Sequence, residues 1–231
     1  MYRHHGRDII VLAHVGDFMC LGSDKDLRWM FAALRQEYSL KMEMLSTELC
    51  DRQEVKFLNR TIKIGDFGLT VEGDDKHSSI LINEWDMTHA NGVDTPLTND
   101  LVNQSDNRPL MCSLEAKRYR RAVARINFMA QDRCDLSSAV KVMSQSMAAP
   151  REGYEGLVKR VIRYIKRYPR SFHEMKYQEF GGNLEIVIDS DWAGELTSRR
   201  STSGGVILHG VHMITHGRKL QATVPRSIGE A

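Results

Sequence analysis

Cysteine is scarce in this chain of 231 residues, and its four cysteines are widely separated, with no C-x-x-C pair. Such spacing favours a reduced intracellular protein with isolated thiols over one that depends on disulfides. We therefore expect the chain to work in the cytoplasm or the nucleus and not to be secreted.

Long apolar segments are also missing. The run Ile9–Ala13 is too short for the core of a signal peptide, and Asp8 and Asp17 flank it. No segment approaches the length that a membrane span needs, so we expect no membrane partner. Internal repeats and low-complexity tracts are absent from the sequence as well.

The net charge of the chain is close to zero, at +2, so the chain as a whole is not an obvious polyanion binder. The charge is unevenly placed, however. Between Lys117 and Arg170 we count fourteen lysines and arginines against four acids. This local excess is typical of a nucleic-acid-binding face, although a solvated helix surface gives the same pattern.

Turn and periodicity signals predict strands and helices in the first hundred residues. Asp8–Cys20 reads as two strands joined at a turn around Gly16. Ser23 is placed to cap a helix that extends to about residue 39. Strands are predicted across Val55–Val71 around a turn at Gly65–Asp66, and a helix is predicted across Ser78–Asn91.

Helices are predicted to dominate from Leu114 to about Tyr168, before Pro169. Two apolar stripes recur there at helical spacing: Ala122, Ile126 and Met129, then Leu157, Val161 and Ile165. The remaining chain turns to strands at Leu184–Asp189, Gly204–Leu208 and Val211–Thr215.

Asp189 stands out in the first of these strands. By the two-residue period of a strand, Asp189 shares a face with Val187. A carboxylate on an apolar face is costly unless something pairs with it, and a metal ion is one candidate partner. An exposed acid at a strand end is the alternative.

The residues around Asp189 carry a longer pattern. Residues 188–194 read IDSDWAG and residues 199–204 read RRSTSG. Together they resemble the start of the ribonuclease H domain in Pol polyproteins of copia-type LTR retrotransposons. Further segments resemble the same family in the same order: His14–Asp17, Thr95–Leu97, Tyr119–Val123, Arg133–Ser137, Ala149–Pro150 and Val161–Lys166.

This resemblance implies a mixed α/β fold in three parts. Residues 1–100 would be the C-terminal part of a reverse transcriptase palm with the start of the thumb. Residues 101–175 would be a helical thumb and connection. Residues 176–231 would be a truncated ribonuclease H-like domain built on an antiparallel sheet, with an open face and an uncovered edge.

The family activity implied is RNA-directed DNA synthesis together with ribonuclease H. Such chemistry uses Mg²⁺ held by acidic side chains, an RNA or DNA primer–template, and deoxynucleoside triphosphates as the only small substrates. By resemblance, Asp17 and Asp189 are the remaining catalytic and metal-binding acids. Gly16 stands where the polymerase turn expects an aspartate, and the upstream acid of that site lies outside the chain.

The missing acids predict that the chain is inactive in both reactions and holds no metal stably. Glu230 is the nearest substitute for the second ribonuclease H acid. It lies two residues early by the match, which on a helix is a rotation of roughly 200°, so we do not expect it to be a ligand.

Two alternatives remain open. The basic helices of residues 117–170 could form a non-catalytic nucleic-acid-binding module, because phosphate contacts need positive charge but no exact carboxylate geometry. The candidate phosphate-binding residues are Arg120, Arg121, Lys159, Arg163, Lys166 and Arg167. The chain could instead be a relic with no selected function.

Overall fold

A computed structural model of the chain describes residues 1–98, 101, 107–179, 181–194 and 198–224. The chain divides into two compact units, Met1–Leu69 and Thr70–Ala231. Helices and antiparallel strands occur together, which confirms the mixed α/β class that the sequence predicts. Glu230 lies outside the described residues.

The first unit opens with a three-stranded antiparallel sheet in the order β1-β2-β3. These strands span Tyr2–Arg3, Ile10–His14 and Asp17–Leu21. The β2–β3 hairpin is the one that the sequence predicts. Its two central residues, Val15 and Gly16, have φ values of 45° and 95°. Positive φ at both central positions is what a tight hairpin turn requires.

The helix α1 follows at Asp24–Glu37, beginning at the predicted cap. The Ser23 hydroxyl accepts the backbone N–H of Asp26 at 3.2 Å. Arg7 and Ser23 also donate to the Asp26 carboxylate, and these bonds hold the pKa of that carboxyl below its usual range. The cap therefore also fixes the N-terminal sheet to the start of α1, because Arg7 precedes β2.

The first unit contains a second hairpin whose turn the sequence did not predict, in addition to the predicted break after Gly65. Strands β4 and β5 span Glu54–Phe57 and Arg60–Gly65, and they pair in antiparallel register. The turn between them uses Leu58 and Asn59 at φ values of 48° and 59°. The sequence signal was weak because leucine rarely adopts a positive φ. Strand β6, Gly68–Gly73, follows at the boundary between the units.

The second unit begins its helices with α2 at Lys76–Glu84, which is shorter than the predicted helix over Ser78–Asn91. Asp86 ends it by adopting a φ of 53°. The Met87 N–H then donates to the Ile82 carbonyl at 2.9 Å, and the Asp86 N–H donates to Asn83 at 3.2 Å. This pair of hydrogen bonds is a Schellman cap. Glycine usually occupies the residue with positive φ in this cap, so an aspartate at that position gave no sequence signal for the end of the helix.

Three further helices form the core of the second unit. Helices α3, α4 and α5 span Ser113–Met129, Ser137–Gln145 and Glu155–Arg167, and a 3₁₀ turn at Cys134–Leu136 leads into α4. Both predicted apolar stripes are buried in one cluster, to which α2 adds Leu81. The buried Tyr119 hydroxyl donates to the Met143 carbonyl at 2.9 Å, so α3 and α4 are bonded through the core.

Strands complete the unit. Strand β7, Phe172–Lys176, lies beside β6. Strands β8, β9 and β10 span Leu184–Ser190, Thr202–His209 and His212–Leu220, and they form an antiparallel sheet in the order β10-β9-β8. The predicted strands are confirmed. Strand β10 runs five residues further than expected, with an irregularity in register between Met213 and Thr215.

The buried stripe of α3 can be tested with two aliphatic residues of that helix. Ile126 is 0% exposed and Leu114 is 77% exposed. Ile126→Ala should lower the free energy of unfolding by about 2 to 5 kcal/mol, because it removes core contacts and leaves a cavity. Leu114→Ala should change it by less than about 0.5 kcal/mol. Urea denaturation of both variants measures the difference, and equal losses would contradict this packing.

Candidate functional site

The first candidate acid, Asp17, lies at the β2–β3 turn. It is exposed and pairs with His14 across the hairpin. Apart from the residues next to it in the chain, no described residue has an atom within 4 Å of the place that a Cβ on Gly16 would occupy. Among the described residues, no group of three or more histidine, cysteine, aspartate or glutamate side chains could hold a metal ion. The turn therefore presents one carboxylate to solvent.

The second candidate acid, Asp189, lies near the end of β8 and is also exposed. Its register partner is Gly204 on β9, which in turn pairs with Arg218 on β10. Val187, which shares its face, is itself 49% exposed. Water can therefore solvate the Asp189 carboxylate, and the strand needs no metal ion to tolerate it.

The neighbouring acid of the same motif, Asp191, has a structural task. Its carboxylate accepts the Thr202 N–H at 2.6 Å, while its own N–H donates to the Thr202 carbonyl at 3.1 Å. A Cβ on Gly194 would lie 2.6 Å from the Asp191 carboxylate, so a larger residue there would displace that carboxylate from its present position. The D-W-A-G segment is thus a loop folded onto the start of β9.

The segment Arg133–Ser137, which also carries the family resemblance, forms a partly buried ion pair. Arg133 is 6% exposed, and its Nη2 lies 2.6 Å from Oδ2 of Asp135. It also donates to the Tyr168 carbonyl at 2.7 Å. Burial acts to raise the pKa of Asp135, but the hydrogen bonds and charge of Arg133 outweigh it and leave that pKa below its usual value.

Three of the six candidate phosphate-binding residues lie on α5 and contact the loop that follows α2. Arg163 donates to the Asn91 carbonyl at 2.7 Å. The Lys166 ammonium donates to three carbonyls, those of Met87, Thr88 and Ala90, at 3.1, 2.5 and 2.7 Å. Arg167 forms an ion pair with Asp94 at 2.9 Å. This side of α5 therefore fixes the loop to the helical core.

The other three candidate phosphate-binding residues each have different surroundings. Arg120 on α3 donates to the Met147 and Ala148 carbonyls at 2.7 and 3.2 Å. Arg121 lies 3.7 Å from Glu84 of α2. Lys159 on α5 is exposed, with no bonding partner in the part of the chain that the structure describes. The six residues thus have different neighbours: loop residues for Arg120 and for the three of α5, a helix for Arg121, and solvent for Lys159.

The partners decide how much positive charge these residues retain. A carbonyl is neutral, so a cation bonded to it keeps its full charge, whereas a carboxylate offsets it. Arg120, Lys159, Arg163 and Lys166 stay uncompensated by this criterion, while Arg121 and Arg167 face acids. Sequence reasoning missed the carbonyl acceptors because every residue carries one and no residue type signals them.

Comparison with known proteins gives the family. The chain belongs to the retrovirus-related Pol polyproteins of copia-type transposons. It is 30% identical over 233 residues to the Pol polyprotein from transposon RE2 of Arabidopsis thaliana, covering 98% of this chain and 15% of the relative. It is 26% identical over 231 residues to the Pol polyprotein from transposon TNT 1-94 of Nicotiana tabacum, covering 96% and 17%.

A shorter relative matches at nearly its full length. The uncharacterized mitochondrial protein AtMg00810 of Arabidopsis thaliana is 29% identical over 223 residues, which cover 95% of this chain and 87% of that protein. The chain therefore spans less than a fifth of the two Pol polyproteins but most of this one. No family model and no solved structure matches the chain. Among the described residues, no helix is both long enough and apolar enough to cross a membrane.

The Arg133–Asp135 pair predicts a pH-dependent stability. Because the folded-state pKa of Asp135 lies below its unfolded value, its contribution is present above the unfolded pKa and is lost as pH falls through the folded one. Asp135→Asn should lower the free energy of unfolding by about 1 to 3 kcal/mol at pH 7. This deficit should begin to shrink below about pH 4, where the Asp135 carboxyl of the unfolded chain becomes protonated, and it should be smallest below the lower pKa of the folded chain.

Urea denaturation between pH 3 and pH 7 measures this effect. Glu174→Gln is the control, because Glu174 is exposed and has no bonding partner among the described residues. A deficit in Asp135→Asn that stays constant across the pH range would show that the carboxylate charge is not its source.

Proposed function

We propose that these 231 residues correspond to a segment of a copia-type Pol polyprotein that does not by itself catalyse DNA synthesis or hydrolysis of an RNA–DNA hybrid. The observation that carries this proposal is that each of the two matched catalytic motifs retains one exposed carboxylate, Asp17 or Asp189. The homology to Pol polyproteins supports the family assignment. The small number of acids left in each motif argues against independent catalytic activity.

The proposed organisation follows the resemblance. Residues 1–100 correspond to the C-terminal part of the palm with the start of the thumb, 101–175 to the thumb and connection, and 176–231 to the start of a ribonuclease H-like domain. The β2–β3 hairpin, helices α3 to α5 and the antiparallel order β10-β9-β8 are compatible with these three parts.

The residues present do not fit the divalent metal that the family implies. Mg²⁺ requires several hard oxygen ligands in nearly octahedral geometry. Asp17 has an open glycine position beside it, and Asp189 faces Gly204 across the sheet. Even the loss of an outer-shell partner costs roughly 10- to 100-fold in metal affinity or activity, and direct ligands matter more. Neither place therefore presents the set of ligands that a metal-dependent catalytic step requires.

Primer extension and hybrid cleavage test this proposal with the purified chain. We expect no product above background from a labelled primer–template with Mg²⁺ or Mn²⁺, and no cleavage of a labelled RNA–DNA hybrid. Gly16→Asp should not restore synthesis, because the two metal ions of the family's reaction would still lack the third acid of the polymerase site. Product formation that is abolished by Asp17→Asn or Asp189→Asn would overturn the proposal.

A second candidate function is nucleic-acid binding without catalysis. The specific observation that favours it is the uncompensated positive charge on α3 and α5, which includes the exposed Lys159 ammonium. Binding of this kind needs clustered cations near phosphates and tolerates loss of the catalytic acids. Solvation of the helix surface remains the competing explanation of the same charges.

An electrophoretic mobility shift at several salt concentrations separates these two explanations. Lys159→Gln should weaken binding of a labelled RNA–DNA duplex by about threefold to tenfold at low salt and reduce the salt dependence by about one phosphate contact. Lys25→Gln is the control, because Lys25 is likewise an exposed lysine within a helix. Equal effects of both variants, or no shift at low salt, would rule out this binding surface.

A further inference from the structure

Strand β8 forms an exposed edge of the C-terminal sheet. In the order β10-β9-β8 it pairs with β9 on one side, and no strand of the described part of the chain pairs with its other side. Every residue from 184 to 189 is exposed. The edge of a strand in this position presents unpaired N–H and C=O groups, which another extended segment can bond.

One face of β8 is apolar. Leu184, Ile186 and Ile188 share this face by the two-residue period of a strand, and they are 65%, 60% and 78% exposed. On the neighbouring strand β9, Ile207 pairs with Ile186 and extends the same face. Gly205 pairs with Ile188 and leaves the backbone there without a side chain. A contiguous exposed apolar surface of this kind marks an interaction site.

The opposite edge of the sheet, β10, is protected. Its register with β9 contains an irregularity, and it carries the cations Arg218 and Lys219. Bulges and charged side chains, lysine above all, are the usual means of keeping other strands away from an edge. Strand β8 has a regular register with β9 along its whole length, and its only charged residues are Glu185 and Asp189. Of the two edges, β8 is therefore the one that accepts a further strand.

The residues of β8 fit β8 of a second copy of the chain. In an antiparallel pair, residues directly opposite each other place their side chains on the same face. A pair centred on one residue therefore keeps the apolar faces of both copies on the same side. When the centre is Ile186, that residue lies opposite itself, and Leu184 lies opposite Ile188 of the other copy. The exposed apolar residues of each strand then meet those of the other.

The two acids of β8 favour this register over its neighbours. A pair centred on Val187 would place Glu185 opposite Asp189 twice, and a pair centred on Glu185 would place that residue opposite itself. Like charges directly opposite each other destabilise a sheet. When the pair is centred on Ile186, Glu185 lies opposite Val187. Asp189 lies opposite Asn183, so each acid has a neutral residue across from it.

We propose that two copies of this chain associate through antiparallel pairing of their β8 strands, centred on Ile186, so that their three-stranded sheets form one continuous sheet. The two-fold symmetry makes the contact isologous, so it closes at two copies. The protected β10 strands become the outer edges. A single pair of strands is smaller than a standard interface, so the dissociation constant should be on the order of tens of micromolar. The association does not depend on the function proposed above.

Sedimentation velocity of the full chain over a range of concentrations tests this association. The wild type should pass from monomer to dimer, and Ile186→Lys should weaken dimerisation by at least about tenfold, because two lysines would face each other at the symmetry axis. Ile214→Lys is the matched control, because Ile214 on β10 is 59% exposed, close to the 60% of Ile186. Equal losses in both variants would overturn the proposal, as would a monomer at every concentration or assembly beyond two copies.

Charge pairs test the register. Leu184→Lys and Ile188→Glu should each weaken dimerisation, and the double variant Leu184→Lys/Ile188→Glu should dimerise more tightly than either single variant. Each new lysine would then lie opposite a new glutamate of the other copy. Within one copy the two positions are about 13 Å apart along the strand, so they do not pair with each other. A double variant that dimerises no better than the single variants would overturn this pairing.

Hydrogen exchange of the wild type gives a readout that needs no substitution. The backbone amides of β8 should exchange more slowly as the protein concentration rises through the dissociation constant, while those of β10 should not change. Exchange in β8 that is independent of concentration would overturn the proposal. Circular dichroism melting confirms that each variant used in sedimentation is folded.

Discussion

Burial of the apolar stripes of α3, α4 and α5 in one cluster is the interaction on which the second unit depends. Tyr119 joins two of these helices through its bond to the Met143 carbonyl, and burial raises the pKa of its hydroxyl well above its ordinary value. A hydroxyl in such a place remains protonated and stays a donor. Once the helices are fixed, their polar faces determine where the cations of α3 and α5 point.

Many of those cations serve the architecture. Lys166 donates hydrogen bonds to three carbonyls of the loop after α2. Arg133 donates both to Asp135 and to the Tyr168 carbonyl at the end of α5. Arg118 lies 4.3 Å over the Trp85 ring and donates to the Glu84 carbonyl. The basic composition of residues 117–170 therefore has two sources, loop fixation and retained surface charge, and composition alone does not separate them.

Much of the fold could be predicted from local signals. The β2–β3 hairpin, the Ser23 cap, the buried stripes and the three C-terminal strands follow from periodicity and turn residues. The end of α2 and the β4–β5 turn could not, because Asp86 and Leu58 adopt positive φ values that those residue types seldom signal. For the site, sequence could name Asp17, Asp189 and the basic residues, but not the backbone carbonyls that accept hydrogen bonds from Arg120, Arg163 and Lys166. Every residue carries a carbonyl, so no local pattern marks these acceptors.

The central claim is that the carboxylates near residues 17 and 189 are too few and too exposed to hold a catalytic metal pair. Paramagnetic broadening of backbone NMR signals by Mn²⁺ tests it most directly. The account predicts weak broadening spread over many exposed acids, without saturation at low millimolar Mn²⁺. Selective, saturable broadening centred on Asp17 or Asp189, abolished by substitution of that aspartate with asparagine, would contradict it.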